Sequence, residues 1–299
     1  MIRTISHSTD LAKSFNLCLL AYVMALATAF VIGYINRELH PALSVLYADV
    51  AATLVIFFFG RLFRNASLYD PYWSVAPPVI AVYWLIISPA DGALLIRQII
   101  ITVLVFVWAV RLTYNWARQW RGLEHEDWRY RNLRKKTGNR FWLVELTGIE
   151  LMPTLIVFLA CLPLYPALAT GNKPIGFLDI IAIIVTAGAI ILETTADRQL
   201  RQFVLKNTKP GAIMDRGLWA YSRHPNYFGE ILFWWGLWVF GLAVAPGYWW
   251  TVIGPVVITL LFITISIPLM DKRNLKRRPG YGEHCHKIPA LIPRISRSR

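Results

Sequence analysis

Charged residues are excluded from long stretches of this chain. Phe15–Tyr34 contains no charged side chain, Ile175–Leu192 contains only Asp179, and the 44 residues from Tyr227 to Met270 contain only Glu230. About 20 consecutive apolar residues form a helix long enough to cross the roughly 30 Å hydrocarbon core of a bilayer. Membrane-spanning strands would show two-residue alternation, which these runs lack, so helices are the predicted solution. Eight runs emerge, over 14–36, 43–62, 74–89, 94–113, 147–168, 176–196, 228–245 and 247–270. The third is short and holds Pro77 and Pro78, which predicts a broken or re-entrant segment and leaves a count of seven open. The fold class is all-α, a multi-pass transmembrane helix bundle of seven to eight spans. With no linker, low-complexity tract or repeat in view, residues 1–299 read as a single integral membrane domain.

Composition agrees: 56% of residues are hydrophobic, against about 45–50% in a soluble domain. The net charge of +14 would suit nucleic acid, but no basic segment carries a reader motif. The distribution of charge explains it better. With eight spans and the N-terminus in the cytoplasm, 27 Lys and Arg fall inside, and only Arg37 and Lys173 fall outside. Lys and Arg concentrate on the cytoplasmic side of membrane proteins, which predicts that both ends are cytoplasmic and that loop 114–146 and the tail after 270 build structure on that face. Arg3 and Lys13 precede the first run, which is long for a signal peptide and lacks a clear cleavage site, so a retained anchor is expected. Cys18, Cys161 and Cys285 are too scattered for a disulfide framework or a thiolate metal site. The Glu283–His286 string fits no ordinary zinc spacing, so no metal is expected.

Five polar segments could carry chemistry, and each also has a plain structural reading. The strongest is Arg216–Glu230. Pro225 can open a helix, Asn226 and Glu230 share one helical face, and Arg223 and His224 flank an N-terminus that attracts anions. This suits a pocket for a phosphorylated or carboxylated cofactor, or simply a capped helix entry. In the second, Glu193, Asp197 and Arg201 are spaced one turn apart, which also suits local ion pairs of little energy. The third, Leu68–Val75, contains Asp70 before Pro71, an ordinary helix cap, with Tyr69, Tyr72 and Trp73 suited to a membrane-interface belt. The fourth places Arg111, Asn115 and Arg118 in one stripe ahead of the charged and aromatic stretch Gly122–Arg131, a membrane-surface segment or a lid. The fifth holds Asp271, Arg273 and Tyr281 before Ile288–Pro293, in a basic tail of the kind that also follows last spans for topological reasons.

Taken together and in order, these segments resemble the steroid 5α-reductase-like membrane family, specifically its bacterial branch known as DUF1295, over residues 69–293. The string Arg223–Glu230 is the most specific part, and Tyr69–Ser74 points to the branch. The resemblance implies a bundle of seven or eight helices in the bacterial inner membrane that holds NADPH at the cytoplasmic side. It implies a hydrophobic, lipid-like enone substrate arriving from the bilayer, and no obligate protein partner. The family's Tyr-x-x-x-x-Asn-x-x-Gly-Glu cofactor motif matches Tyr221, Asn226 and Glu230. Its Asn-x-x-x-Asp motif falls on Glu193 and Asp197, departing at the first position. The tail Arg and Tyr match Arg273 and Tyr281, and the fourth-span Arg matches Arg111. Of its substrate-polarising Glu and Tyr, the acid falls at Asp70 and the Tyr at Trp108, which has no phenolic proton. Tyr69, Tyr72 and Tyr114 could substitute, and Asp70 with Tyr72 is the expected catalytic pair. The cofactor-binding set is then Arg111, Asn115, Arg118, Glu193, Asp197, Arg201, Tyr221, Arg223, His224, Asn226, Glu230, Arg273 and Tyr281. There is no Gly-rich dinucleotide fingerprint of the βαβ kind. The expected reaction is NADPH-dependent reduction of a C=C bond conjugated to a carbonyl. Two alternatives stand beside it. One is an S-adenosylmethionine-dependent enzyme like isoprenylcysteine carboxyl methyltransferase, which shares Arg-His-Pro-x-Tyr-x-Gly. The other is a non-enzymatic lipid-binding protein.

Overall fold

A computed structural model describes residues 2–87, 92–170, 173–207 and 209–294, with side chains from residue 10 onward except 92–94. The expected loop 90–93 lies largely outside the described residues. Among those residues there are helices and no strand. The long elements are α1 (Ile2–Ile35), α2 (Pro41–Phe63), α3 (Tyr72–Ile86), α4 (Gly92–Ala117), α5 (Trp128–Thr137), α6 (Phe141–Val144), α7 (Met152–Cys161), α8 (Phe177–Lys206), α9 (Pro225–Val244), α10 (Ile253–Leu261), α11 (Ile267–Arg277) and α12 (Tyr281–Lys287). Seven helical stretches are long and apolar enough to cross a membrane: Asp10–Ile35, Pro41–Phe63, Leu95–Ala117, Trp128–Thr170, Phe177–Lys206, Pro225–Val244 and Pro246–Arg277. Large apolar side chains such as Phe30, Ile86 and Phe177 are about three-quarters exposed on their outer faces, the pattern of helices solvated by lipid.

Two sequence expectations change. The third run is α3, whose 15 residues reach only about 22 Å at 1.5 Å per residue, short of a crossing. Its two prolines sit inside a continuous helix. The helical partners of the Trp73 and Ser74 carbonyls are thereby removed; separately, the Ser74 hydroxyl donates to Pro71 O and shares a bond with Thr113 Oγ1. Second, the expected cytoplasmic loop is helical from Trp128, running through turns of varying width into the fourth spanning stretch. Asp127 caps that start by accepting from the Arg129 amide at 2.8 Å. A segment this rich in Lys and Arg has no apolar periodicity, so its helix was invisible to pattern.

The residues group into two compact units, Met1–Ser88 with Val105–Tyr165, and Pro89–Leu104 with Pro166–Arg299. In the first, α2 ends at Arg64 in the left-handed conformation (φ 53°), and the Asn65 amide returns to Gly60 O at 2.9 Å. Buried Asn65 then caps the turn Ala66–Tyr69 and donates to Leu123 O and His125 O. Glu126 accepts from the Ala66 amide and pairs with Arg134. These bonds hold segment 123–127 against the 65–67 turn and so set where α5 begins.

In the second unit, α8 and α9 pack closely because α9 presents glycine. A side chain at Gly229 would meet Glu193 Cβ at 2.8 Å, and one at Gly236 would overlap Thr186. Gly236→Leu is therefore expected to destabilise the protein by about 1–3 kcal/mol, read as a lower unfolding temperature in detergent; an unchanged temperature would contradict the packing. At the start of α8, buried Arg97 binds buried Asp179 through two nitrogens, at 2.7 and 3.0 Å, and donates to the Lys173 and Pro174 carbonyls.

Candidate functional site

The predicted site residues divide between the two units. In the first lie Asp70, Tyr72, Arg111, Asn115 and Arg118; in the second lie the rest. Each group is described within its own unit.

Asp70 follows the 66–69 turn and accepts a hydrogen bond from the Tyr130 hydroxyl at 2.6 Å. Arg129 Nη2 stands 3.9 Å away. Burial pushes the Asp70 carboxyl up to about 6, while Arg129 and the Tyr130 bond restrain the rise. A part-buried acid poised this way keeps its proton up to about pH 6, above the usual carboxylate range. The expected partner, Tyr72, is engaged elsewhere, donating to Asp49 Oδ1 at 2.6 Å. Tyr69 shares a bond with Thr154, which in turn shares one with Thr53. Tyr114 is exposed beneath the Arg118 guanidinium. The phenol paired with Asp70 is thus Tyr130, while Tyr72 is paired with Asp49. Sequence reasoning missed Tyr130 because its segment, 60 residues away, reads as surface loop; the capping sequence Asp127-Trp128-Arg129 was the one available signal. Trp108 is fully buried.

In the same unit an apolar groove of about 660 Å³ opens beside α3 and α4, lined by Leu26, Val79, Val82, Phe106 and Val110, with the Ser74–Thr113 hydroxyl pair within it.

In the second unit, Pro225 opens α9 as expected. The Asn226 side-chain amide donates to Asp197 Oδ1 at 3.3 Å, while its own oxygen, Oδ1, is buried and accepts no hydrogen bond among the described residues. Glu230 accepts from Trp234 Nε1 at 2.9 Å. Glu193 is buried one turn before Asp197 on α8. These four polar residues are brought together at the end of α8 and the start of α9 by the glycine contact described above. Arg201 lies one turn beyond Asp197 on α8, and Tyr221 is exposed. Arg273 lies on α11.

Arg223, His224 and Tyr281 converge on Asp271, a residue absent from the predicted set. Arg223 Nη2 reaches one carboxylate oxygen at 2.9 Å; His224 Nε2 at 2.9 Å and the Tyr281 hydroxyl at 2.6 Å reach the other. Burial, and next the bond to Asp271, push the Tyr281 hydroxyl upward, so it stays a donor. Arg223 also donates to Cys285 O and Ile288 O, and the backbone of Ser222–His224 is tied to Pro289–Leu291. Prolines 289 and 293 lack the N–H that would compete for these bonds. Asp271 and its partners therefore clasp the tail to the start of α9.

Residues 56–288 match the family described as protein of unknown function (DUF1295). The chain belongs to the DUF1295 family. The match contains every predicted site residue. A relative in Schizosaccharomyces pombe (strain 972 / ATCC 24843), the uncharacterized protein C594.04c, is 27% identical over 262 residues, covering 79% of this chain and 74% of that one. The likeness therefore extends to a eukaryote. No solved structure matches. Within this DUF1295 protein, Asp271, Tyr130 and Asn65 are the site-shaping residues that sequence reasoning left unassigned.

Proposed function

We propose that this DUF1295 protein is a membrane-embedded, NADPH-dependent reductase of a C=C bond conjugated to a carbonyl in a hydrophobic substrate. The observation that carries the reading is Asp70, a part-buried acid hydrogen-bonded by Tyr130, whose carboxyl is raised to about 6. A neutral acid can hydrogen-bond a carbonyl oxygen as enolate charge develops. The groove beside α3 and α4 is apolar enough to take a lipid-like substrate from the bilayer.

The residues present fit the cofactor. The orphaned, buried Asn226 oxygen suits an amide or hydroxyl donor of a dinucleotide. In the second unit, Arg201 and Arg273 supply guanidinium groups, which match phosphate geometry. With Tyr221, Glu193, Asp197 and Glu230 they would hold it, and bound NADPH would supply hydride. Arg223, His224 and Tyr281, spent on Asp271, act instead as positioning residues that set the tail against α9.

The distribution of charge supports a cytoplasmic polar face. Segments 114–146, 197–227 and 271–299 carry 23 of the 31 Lys and Arg residues. Two spanning helices separate each from the next, so they share one side whether or not α3 crosses. The positive-inside bias makes that side cytoplasmic.

Calorimetry in detergent is expected to show NADPH binding by the wild type. Affinity should fall about 10–100-fold in Glu230→Gln and in Arg273→Ala, the scale of one lost charge-assisted hydrogen bond. Unchanged affinity in both would reject the site. Binding of S-adenosylmethionine without NADPH would favour methyl transfer, and binding of neither would favour a lipid-binding role.

A further inference from the structure

Glu145 and Glu150 are both completely buried in the fourth spanning stretch. Ionisable groups at membrane depth are costly and are retained where they bind or carry something. Five residues apart on an α-helix, two side chains diverge by about 140°. Here residues 145–151 form wide π-helical turns, in which residues five apart stack. The local widening aims both carboxyls at one place, the backbone of Gly60 on α2. A Cβ on Gly60 would stand 3.4 Å from Glu145 Oε1, 3.5 Å from Asn65 O and 3.6 Å from Glu150 Oε1. Three oxygens ring the space that the glycine leaves.

The hydrogen-bond partners of these groups do not balance. Glu145 Oε2 pairs with Arg61 Nη1 at 3.2 Å, but its Oε1 and both oxygens of Glu150 are buried and accept nothing among the described residues. Neighbouring donors are committed elsewhere. Tyr69 and Thr154 bond one another, Tyr22 donates to Leu68 O, and Arg134 is held by Glu126. Arg61 thus serves Glu145, while Glu150 has no hydrogen-bond partner among the described residues. A buried carboxylate with neither donor nor counter-charge costs several kcal/mol, so a second positive charge belongs here.

We infer that Glu145 and Glu150, closed over Gly60, form a binding site for one small monovalent cation, a proton or a sodium ion, seated on Glu150. The site stands apart from the reductase reading and is tested without nucleotide.

The test uses the purified full-length protein in detergent. For a proton, the infrared difference spectrum of wild type minus Glu150→Gln at neutral pH should contain a protonated-carboxyl band. For sodium, the unfolding temperature should rise with sodium chloride against choline chloride at equal ionic strength, and this rise should vanish in Glu150→Gln. Gly60→Ala, which puts a methyl in the ringed space without removing a carboxyl, should shift the band or abolish the sodium response, and it keeps the test open if Glu150→Gln does not fold. Absence of both the band and the sodium response overturns the proposal, as does their persistence unchanged in the variants.

Discussion

Asp70→Asn is expected to lower turnover of a lipophilic enone about a hundred- to ten-thousand-fold, the usual contribution of a positioned general acid, while NADPH affinity stays within about twofold. Asparagine keeps the shape of the side chain and can still meet the Tyr130 hydroxyl, but it has no proton to release. The wild-type carboxyl is raised from 3.8 to about 6 by burial, against the opposing effects of Arg129 and Tyr130. Its protonated, active form is therefore present below about 6 and lost as pH rises through that value. The rate of NADPH oxidation should fall across the same interval, and the Asn variant should lack this limb. Stability follows the same sign. The folded value lies above the unfolded one, so the contribution is full below about 3.8 and disappears as pH rises through about 6. Thermal unfolding of the Asn variant should consequently lose less than wild type between those limits. A variant that keeps wild-type turnover would remove Asp70 from the chemistry.

Arg97→Met should be the most destabilising single change, at about 3–5 kcal/mol, because removing one partner of a buried ion pair strands the other. Both side chains are almost inaccessible, 1% exposed for Arg97 and 3% for Asp179. Arg97 also satisfies the Lys173 and Pro174 carbonyls that lead into α8. Backbone amides, Gly176's at 2.9 Å among them, would remain on the carboxylate, with no counter-charge from Arg97. Adding Asp179→Leu should recover much of the loss, since a well-packed apolar pair often matches a buried ionic one. Chemical denaturation in mixed micelles would measure this; a cost below about 1 kcal/mol for Arg97→Met would mean that the pair is hydrated.

What could be read before any coordinates was set by periodicity and composition. Each predicted apolar run is a helix, and seven reach spanning length. Pro225 opening α9 and the alignment of Asn226 with Glu230 follow from local rules, proline at a first turn and four-residue spacing. Those rules fail where spacing is not 3.6. Glu145 and Glu150 read as residues on different faces, and only the widened turn aligns them. They fail again for α5, whose helix begins because Asp127 caps it and segment 123–127 is pinned to Asn65, not because of any apolar stripe.

The sequence by itself determined that this is a helical membrane protein of the DUF1295 kind, which end of each helix is polar, and which short strings hold its unusual residues. Lipid leaves backbone groups no partner but the helix itself, so hydrophobic length alone dictates that outcome. Only the tertiary structure decided which polar groups meet. It joined Asp70 to Tyr130 rather than Tyr72, and gathered Arg223, His224 and Tyr281 onto Asp271. It also left Glu150 without a partner among the described residues. Pairings across 48 or 60 residues depend on how helices cross and where turns widen, and those are set by glycine contacts and buried caps that no repeat along the chain records.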